Sequence, residues 1–289
     1  MRYRFIRFPG GKGKAVTLSY DDGWIEDIRF ADRITDAGLK CTFNLNSDDL
    51  RKENLTKEDV EEHIISKGHE IAIHGALHKA LGSQSVVDGI KDVLDCRCEL
   101  EGRYKRIIRG MAYPDSGIRF MANGTSYEMI KKYLTELGIT YARTLGEDNN
   151  LFRLPSDWHE WIPTAHHDNP DLFDMIDEFV HLDPEAIKIA RRDAKLFYLW
   201  GHSCEFERNA NWDRLDRICD TLAGHDDIWY ATNGEIYDYV NAYHSLIWSA
   251  DASLVYNPTL FDIWFTTSVG DYKIGPGETV EVKKTYKMY

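Results

Sequence analysis

Apolar and polar positions along the chain switch repeatedly between two periods. "AVTLSY" (15–20) is a short apolar run of strand type. The segment after it, "WIEDIRFADRITDAG", carries Ile25, Ile28, Ala31 and Ile34 at helical spacing and then Gly38, where a C-cap belongs. "LKCTFNLN" (39–46) predicts a second strand. "TKEDVEEHIISKG" (56–68) opens on Thr56 with an acid three residues on, a capping-box pattern, and again closes on glycine. The alternation continues through strand "EIAIH" (70–74), helix 85–101, strand 106–114, helix 126–138 and strand 139–144. It resumes with strand "LFYLWGH" (196–202), helix 211–224, strand 228–232 and a last helix near 234–243.

About seven strand–helix units running in one direction predict an α/β fold with a parallel sheet or barrel. From about 245 the texture changes to short strand-like runs with turn residues and no helix. The expected division is therefore a barrel over 1–244 and a small β-rich appendage over 245–289. The stretch 145–170 is irregular, aromatic and histidine-bearing, which suits a loop that carries function.

Composition narrows the partners. The 289 residues, 43% hydrophobic, suffice for one large core or for one domain plus an appendage. A net charge of −13 argues against nucleic acid and polyanionic substrates and leaves a neutral one. No run of about 18 apolar residues predicts a membrane span. The basic N-terminus "MRYRFIRFPGGKGK" lacks the apolar core of a signal peptide. Five cysteines in no regular framework suit a reducing cytoplasm, the expected location. Cys96 and Cys98 are too few for a metal site and read as helix residues. Oligomeric state is not legible.

In a parallel barrel, chemistry sits at the C-terminal ends of the strands. The unusual polar residues fall there in turn: "SYDDG", "IHGALH", "AYPDSG", "YART" and "WGHS". Asp21 and Asp22 alone are open to an ordinary Asp-Gly turn. His74 and His78, four apart past a strand, would share a face if their turn is helical, which is a spacing transition metals use. Two histidines and one carboxylate make a triad with open positions. A metal on Asp22 would also relieve its repulsion with Asp21.

"TLSYDDG", "HGALH", "AYPDSG" and "FYLWGHS" resemble the motifs of the polysaccharide deacetylases of the NodB homology fold, carbohydrate esterase family 4, over roughly residues 12 to 240. The resemblance implies a distorted (β/α) barrel, a divalent ion (commonly zinc, with cobalt or nickel as substitutes) and removal of acetyl groups from carbohydrate. Carried onto this chain, it makes Asp22, His74 and His78 the ligands, Asp21 the general base and His202 the general acid. The chemistry agrees, because hydrolysis needs an activated water, a stabilised oxyanion and a proton for the leaving group. A backbone N–H near Tyr113 to Asp115 is the expected oxyanion donor.

Three features depart from the family pattern. Ala112 stands where an arginine is usual, and Arg109 would point to the opposite face. Arg143, at the end of "YART", is either a surface arginine or the group that holds Asp21 ionised. The Asp-Trp pair that orients the histidine is matched only loosely by Asp157 in "SDWHEW". His166 and His167, together with Trp158 and Trp161, either line the substrate site and limit chain length or belong to solvent and core. Trp200 and Trp212 are open to the same two readings, and His69 reads as a core histidine. Acetylated mono- or short oligosaccharides are the expected substrates. The competing readings are a xylan-type O-acetyl esterase, a cyclic amide hydrolase and a catalytically silent carbohydrate-binding protein.

Overall fold

The protein is seen in a computed structural model that describes residues 3–48, 55–145, 149–186 and 192–283. Its strands begin with β1 (Arg4–Arg7), β2 (Lys14–Asp21), β3 (Cys41–Leu45), β4 (Glu70–Ile73), β5 (Gly110–Ala112) and β6 (Tyr141–Arg143). β7 (Ala165–His166), β8 (Lys195–Gly201) and β9 (Ile228–Tyr230) follow. All but β1 run parallel in one sheet of order β6-β5-β4-β3-β2-β8-β7, with β9 pairing the first residues of β2. This is the parallel (β/α) half-barrel expected from the alternation.

β2 shows why the sheet holds. All eight of its residues are buried, as in a strand covered on both faces. Val16, Leu18 and Tyr20 pack outward into the large core beneath the helices, among them α1 (Asp27–Asp36). Ala15 faces the half-barrel interior with Tyr141, Trp161 and Tyr198, and Thr17, Ser19 and Asp21 fall on the same side by alternation. Asp21 is thus the top rung of an inward-facing ladder.

The Thr56 capping box forms, and α2 (Lys57–Asp59) continues as a wide π-type turn over Val60–Ile65. α3 (Val86–Tyr104), α4 (Tyr127–Glu136) and α5 (Leu172–His181) follow, with α5 in a segment the pattern left unassigned. α6 (Cys204–Arg208), α7 (Trp212–Leu222) and α8 (Asn233–His244) complete the helices. Cys96 and Cys98 lie on α3, and all five cysteines are free thiols. The expected strands 106–114 and 139–144 contract to three residues each. β7 lies inside the stretch read as loop, of which residues 146–148 fall outside the described residues.

After α8 come β10 (Ile247–Trp248), β11 (Leu254–Tyr256), β12 (Ile263–Thr267), β13 (Gly270–Ile274) and β14 (Thr279–Glu281). They build two antiparallel three-stranded sheets, β10-β11-β14 and β1-β12-β13, around Val255, Ile263, Phe265 and Ile274. The N-terminal strand therefore pairs with the C-terminal segment and not with the half-barrel. Residues 284–289 lie outside the described residues. Among the described residues no helix is long and apolar enough to cross a membrane.

Candidate active site

β2 ends at Asp21, and the chain leaves through Asp22 at φ +86°, a left-handed conformation that Asp tolerates better than most residues. Asn44 is the register partner of Asp21 on β3 and donates from Nδ2 to Asp21 Oδ1 at 2.8 Å; its carbonyl accepts the Asp22 N–H at 2.9 Å. The sheet curls far enough for Arg143, ending β6 four strands away, to reach over and ion-pair with Asp21 Oδ2. Both partners are fully buried, and the guanidinium lies 4.6 Å from the Trp200 ring centroid. Burial alone would raise the Asp21 carboxyl. Arg143, with His74 and His202, outweighs that and holds it below its ordinary value.

His74 follows β4 and points into the same space. Its Nδ1 donates to the Ala112 carbonyl at 2.9 Å, which leaves the Nε2 lone pair bare, 3.6 Å from Asp22 Oδ1. His78 Nε2 lies 3.2 Å from the same oxygen. The turn between the two histidines is not helical, contrary to the expectation. It is a bend with Gly75 at φ +75° and His78 at φ +50°, pinned by the buried Asp92 of α3, which accepts the Leu77 N–H at 2.8 Å. A Cβ at Gly75 would meet Asp92 Oδ2 at 2.8 Å, so the pin also requires the glycine.

One ligand atom from each of Asp22, His74 and His78 lies within 4.8 Å of the others. Ligands at about 2.0–2.1 Å around a tetrahedral ion stand roughly 3.3 Å apart, and the two His–Asp22 separations bracket that figure. Burial pushes His74 down despite Asp21 and Asp22, so its ring stays neutral, as a ligand must be. The donor set fits a divalent transition metal.

His202 follows β8 with Nε2 4.0 Å from Asp22 Oδ2 and Nδ1 3.4 Å from Glu205 Oε2. Burial would lower it, but Glu205, Asp21 and Asp22 outweigh that and raise it. The half-buried His166 turns its Nε2 to the same Glu205 oxygen at 3.1 Å. Glu205, Asn44 and Trp24, whose indole N–H donates to Asp22 Oδ2 at 3.2 Å, were missed in the sequence. Asn44 had a usable signal, since it lies opposite Asp21 once β2 and β3 are aligned.

Several expected substrate contacts are elsewhere. His167 is fully buried, stacked on Phe206 at 4.2 Å and against Tyr20 at 5.6 Å, so it cannot touch a sugar. A Cβ at Gly201 would meet its Nδ1 at 1.9 Å, which is why β8 ends in glycine. Trp161 is core filling between Tyr141, Trp158 and Tyr198, and Trp158 packs on Trp161 and Tyr237 inside the half-barrel. The idea that these residues wall the pocket and limit chain length loses its support. Tyr113 is buried with its hydroxyl donating to the His159 carbonyl, and its N–H is spent on the Arg143 carbonyl. Pro114 has no N–H, so of the three expected positions Asp115, at φ +51°, is the one left to donate. Asp157 caps a short turn and pairs with Lys131, away from His202. Arg109 pairs with Asp238, and Trp212 stacks on Arg29. His69 lies in the core as expected.

The polysaccharide deacetylase family profile matches residues 9–142. A search of curated proteins returns no match. Among solved structures, a Mycobacterium smegmatis protein named as a polysaccharide deacetylase is 18% identical over 84% of this chain and 96% of its own, with a TM-score of 0.52. A family 4 acetyl xylan esterase from Clostridium thermocellum, solved with a cobalt ion, is 16% identical over 78% of this chain and 90% of its own, at TM-score 0.48. For a Streptococcus pyogenes deacetylase in complex with acetate, 18% identical at TM-score 0.40, the match covers 45% of this chain and 56% of that protein. The Mycobacterium protein shares the half-barrel fold at low identity. Over residues 9–142 this chain is similar to the polysaccharide deacetylase family, and its half-barrel has the fold of the Mycobacterium protein.

Proposed function

We infer that the protein is a metal-dependent hydrolase that removes acetyl groups from carbohydrate. The observation that carries this reading is the convergence of three ligand atoms on Asp22, His74 and His78, with Asp21 beside them and His202 opposite. Asp22, His74 and His78 would hold the cation, which when bound acts as a Lewis acid and lowers the pKa of water. Asp21, held ionised by Arg143 and aimed by Asn44, accepts the proton of the attacking water. His202 Nε2 delivers a proton to the departing sugar nitrogen or oxygen as the acyl bond breaks, so that acetate and a free amine or hydroxyl leave. The Asp115 N–H is the remaining candidate for an oxyanion donor.

Acetate release from N- and O-acetylated sugars, before and after chelation, tests the reading. Activity should vanish on chelation and return with zinc, cobalt or nickel. Asp22→Ala and His78→Ala should lose the ion, whereas Asp21→Asn should keep it and lose roughly 10²-fold or more in rate, as expected for a missing general base. Full metal occupancy in both ligand variants would sink the ligand assignment. Ion loss in Asp21→Asn would exchange the roles of the two aspartates.

A further inference from the structure

Glu205 lies outside every motif that carries the family resemblance, yet its carboxylate meets three histidines and an arginine beside the site. Its Oε2 accepts the His202 backbone N–H at 3.2 Å and stands 3.4 Å from His202 Nδ1, 3.1 Å from His166 Nε2 and 3.3 Å from the buried His167 Nε2. Its Oε1 takes Arg208 at 3.1 Å. The backbone closes the same loop, with the Glu205 N–H donating to the His202 carbonyl at 3.1 Å. This i to i+3 reciprocity at the start of α6 holds the carboxylate beside the ring.

Two chemistries suit such a cluster, a second metal or a hydrogen-bonded anchor, and His166 separates them. The His166 Nδ1 accepts the Asp168 N–H at 3.1 Å, so the proton of a neutral ring sits on Nε2, the atom facing Glu205. A protonated nitrogen is a donor to carboxylate and offers no lone pair to a metal. His74 shows the opposite arrangement, with Nδ1 donating and Nε2 bare. His166, His167, Asp168 and Glu205 place ligand atoms within 4.8 Å of one another, but the tautomer that the Asp168 N–H demands of His166 turns its Nε2 into a hydrogen-bond donor to Glu205.

We propose that Glu205 is the positioning residue of His202: it accepts the Nδ1–H hydrogen bond, fixes the ring so that Nε2 faces Asp22 and the reacting bond, and takes the place that Asp157, paired with Lys131, does not fill. His166 donates to the same oxygen and keeps the carboxylate ionised. In hydrolases that use histidine as acid or base, a carboxylate behind the ring sets its tautomer and orientation, and losing it costs orders of magnitude in rate. The catalytic consequence rests on the deacetylase reading; the tautomer does not.

The test uses Glu205→Leu, which removes the acceptor, and Glu205→Gln, which removes the charge and keeps the shape in case the leucine variant fails to fold. Nitrogen-15 NMR of histidine-labelled protein reads the His202 tautomer directly. The expected result in the unmodified protein is a proton on Nδ1 bonded to Glu205, both in the neutral ring and in the imidazolium that donates from Nε2; the neutral ring should shift toward Nε2–H in Glu205→Leu, and the Nδ1–H hydrogen bond should weaken in Glu205→Gln. On an N-acetyl sugar both variants should lose roughly 10²-fold in kcat with KM within about twofold, while an acetate ester with a good leaving group loses far less. Metal content should stay at one ion per chain. An unchanged His202 tautomer and hydrogen bond in both variants would overturn the proposal. So would equal losses on amide and activated ester, or a second ion that Glu205→Leu releases. An unmodified protein that cleaves no acetyl group would remove the reaction, and the NMR signature would still decide what Glu205 does.

Discussion

Arg143 and Asp21 carry opposite charges into a place from which water is excluded, and neither tolerates the loss of the other. Removing one member of a buried pair leaves an uncompensated charge, so Arg143→Met should destabilise the fold by about 3–5 kcal/mol at neutral pH in denaturant titrations. The sign with pH follows from Asp21 being held below its ordinary value. Its contribution is present above the unfolded carboxylate pKa of about 3.9 and is lost as pH falls through the lower folded value. The variant should therefore show a shallower loss of stability below about pH 4; an unchanged acid limb would mean the pair contributes nothing. At this scale much was legible. Asp21, Asp22, His74, His78, Arg143 and His202 were singled out because charged and imidazole groups recurred at strand ends, and these groups do meet. Glu205 and Asn44 were not, since one sits on a short helix and the other in the middle of an apolar strand. Trp161 and His167 were misplaced because an aromatic-rich loop reads the same whether its rings face a sugar or a core.

His69 couples three elements. Its Nδ1 accepts the Cys41 N–H of β3 at 3.2 Å, and its Nε2 meets the Thr35 hydroxyl of α1 at 2.9 Å, just ahead of β4. A proton on Nδ1 would set two donors against each other. Burial, with Lys40 nearby, lowers this histidine to about 4. Stability from keeping it neutral is present above its unfolded pKa of about 6.5 and is lost as pH falls toward 4, a swing of about 3 kcal/mol. His69→Gln should flatten the stability curve between those pH values. A slope identical to that of the unmodified protein would take His69 out of the acid response. The long elements were legible here because helical spacing persists over many residues. β5, β6 and β7 were stretched or missed because strands of two or three residues exist only through their neighbours, and no local pattern announces them.

Across the whole molecule, the parallel order could be read from the alternation of elements, but the destination of β1 could not. Its run "RFIR" is a plausible strand for any sheet, and the partner is chosen by shape some 260 residues away. The Tyr239 hydroxyl reinforces that choice by donating to the Arg7 carbonyl at 2.7 Å and accepting the Trp264 N–H at 3.0 Å. A chain cut after residue 244 should leave the β1 edge open and should associate in light scattering at micromolar concentration. A monomer of undiminished thermal stability would show that β12 is dispensable.

The same pairing sets a timetable on the ribosome. Some 260 residues separate Arg4 from its partner Thr267, so β1 leaves the ribosome well before β12 does. At roughly 5–20 residues per second, β1 waits on the order of 10–50 s for its partner, while the half-barrel it flanks can already be closing. For that interval the nascent chain trails an unpaired strand, and the cell's handling of it turns on how quickly the far end arrives.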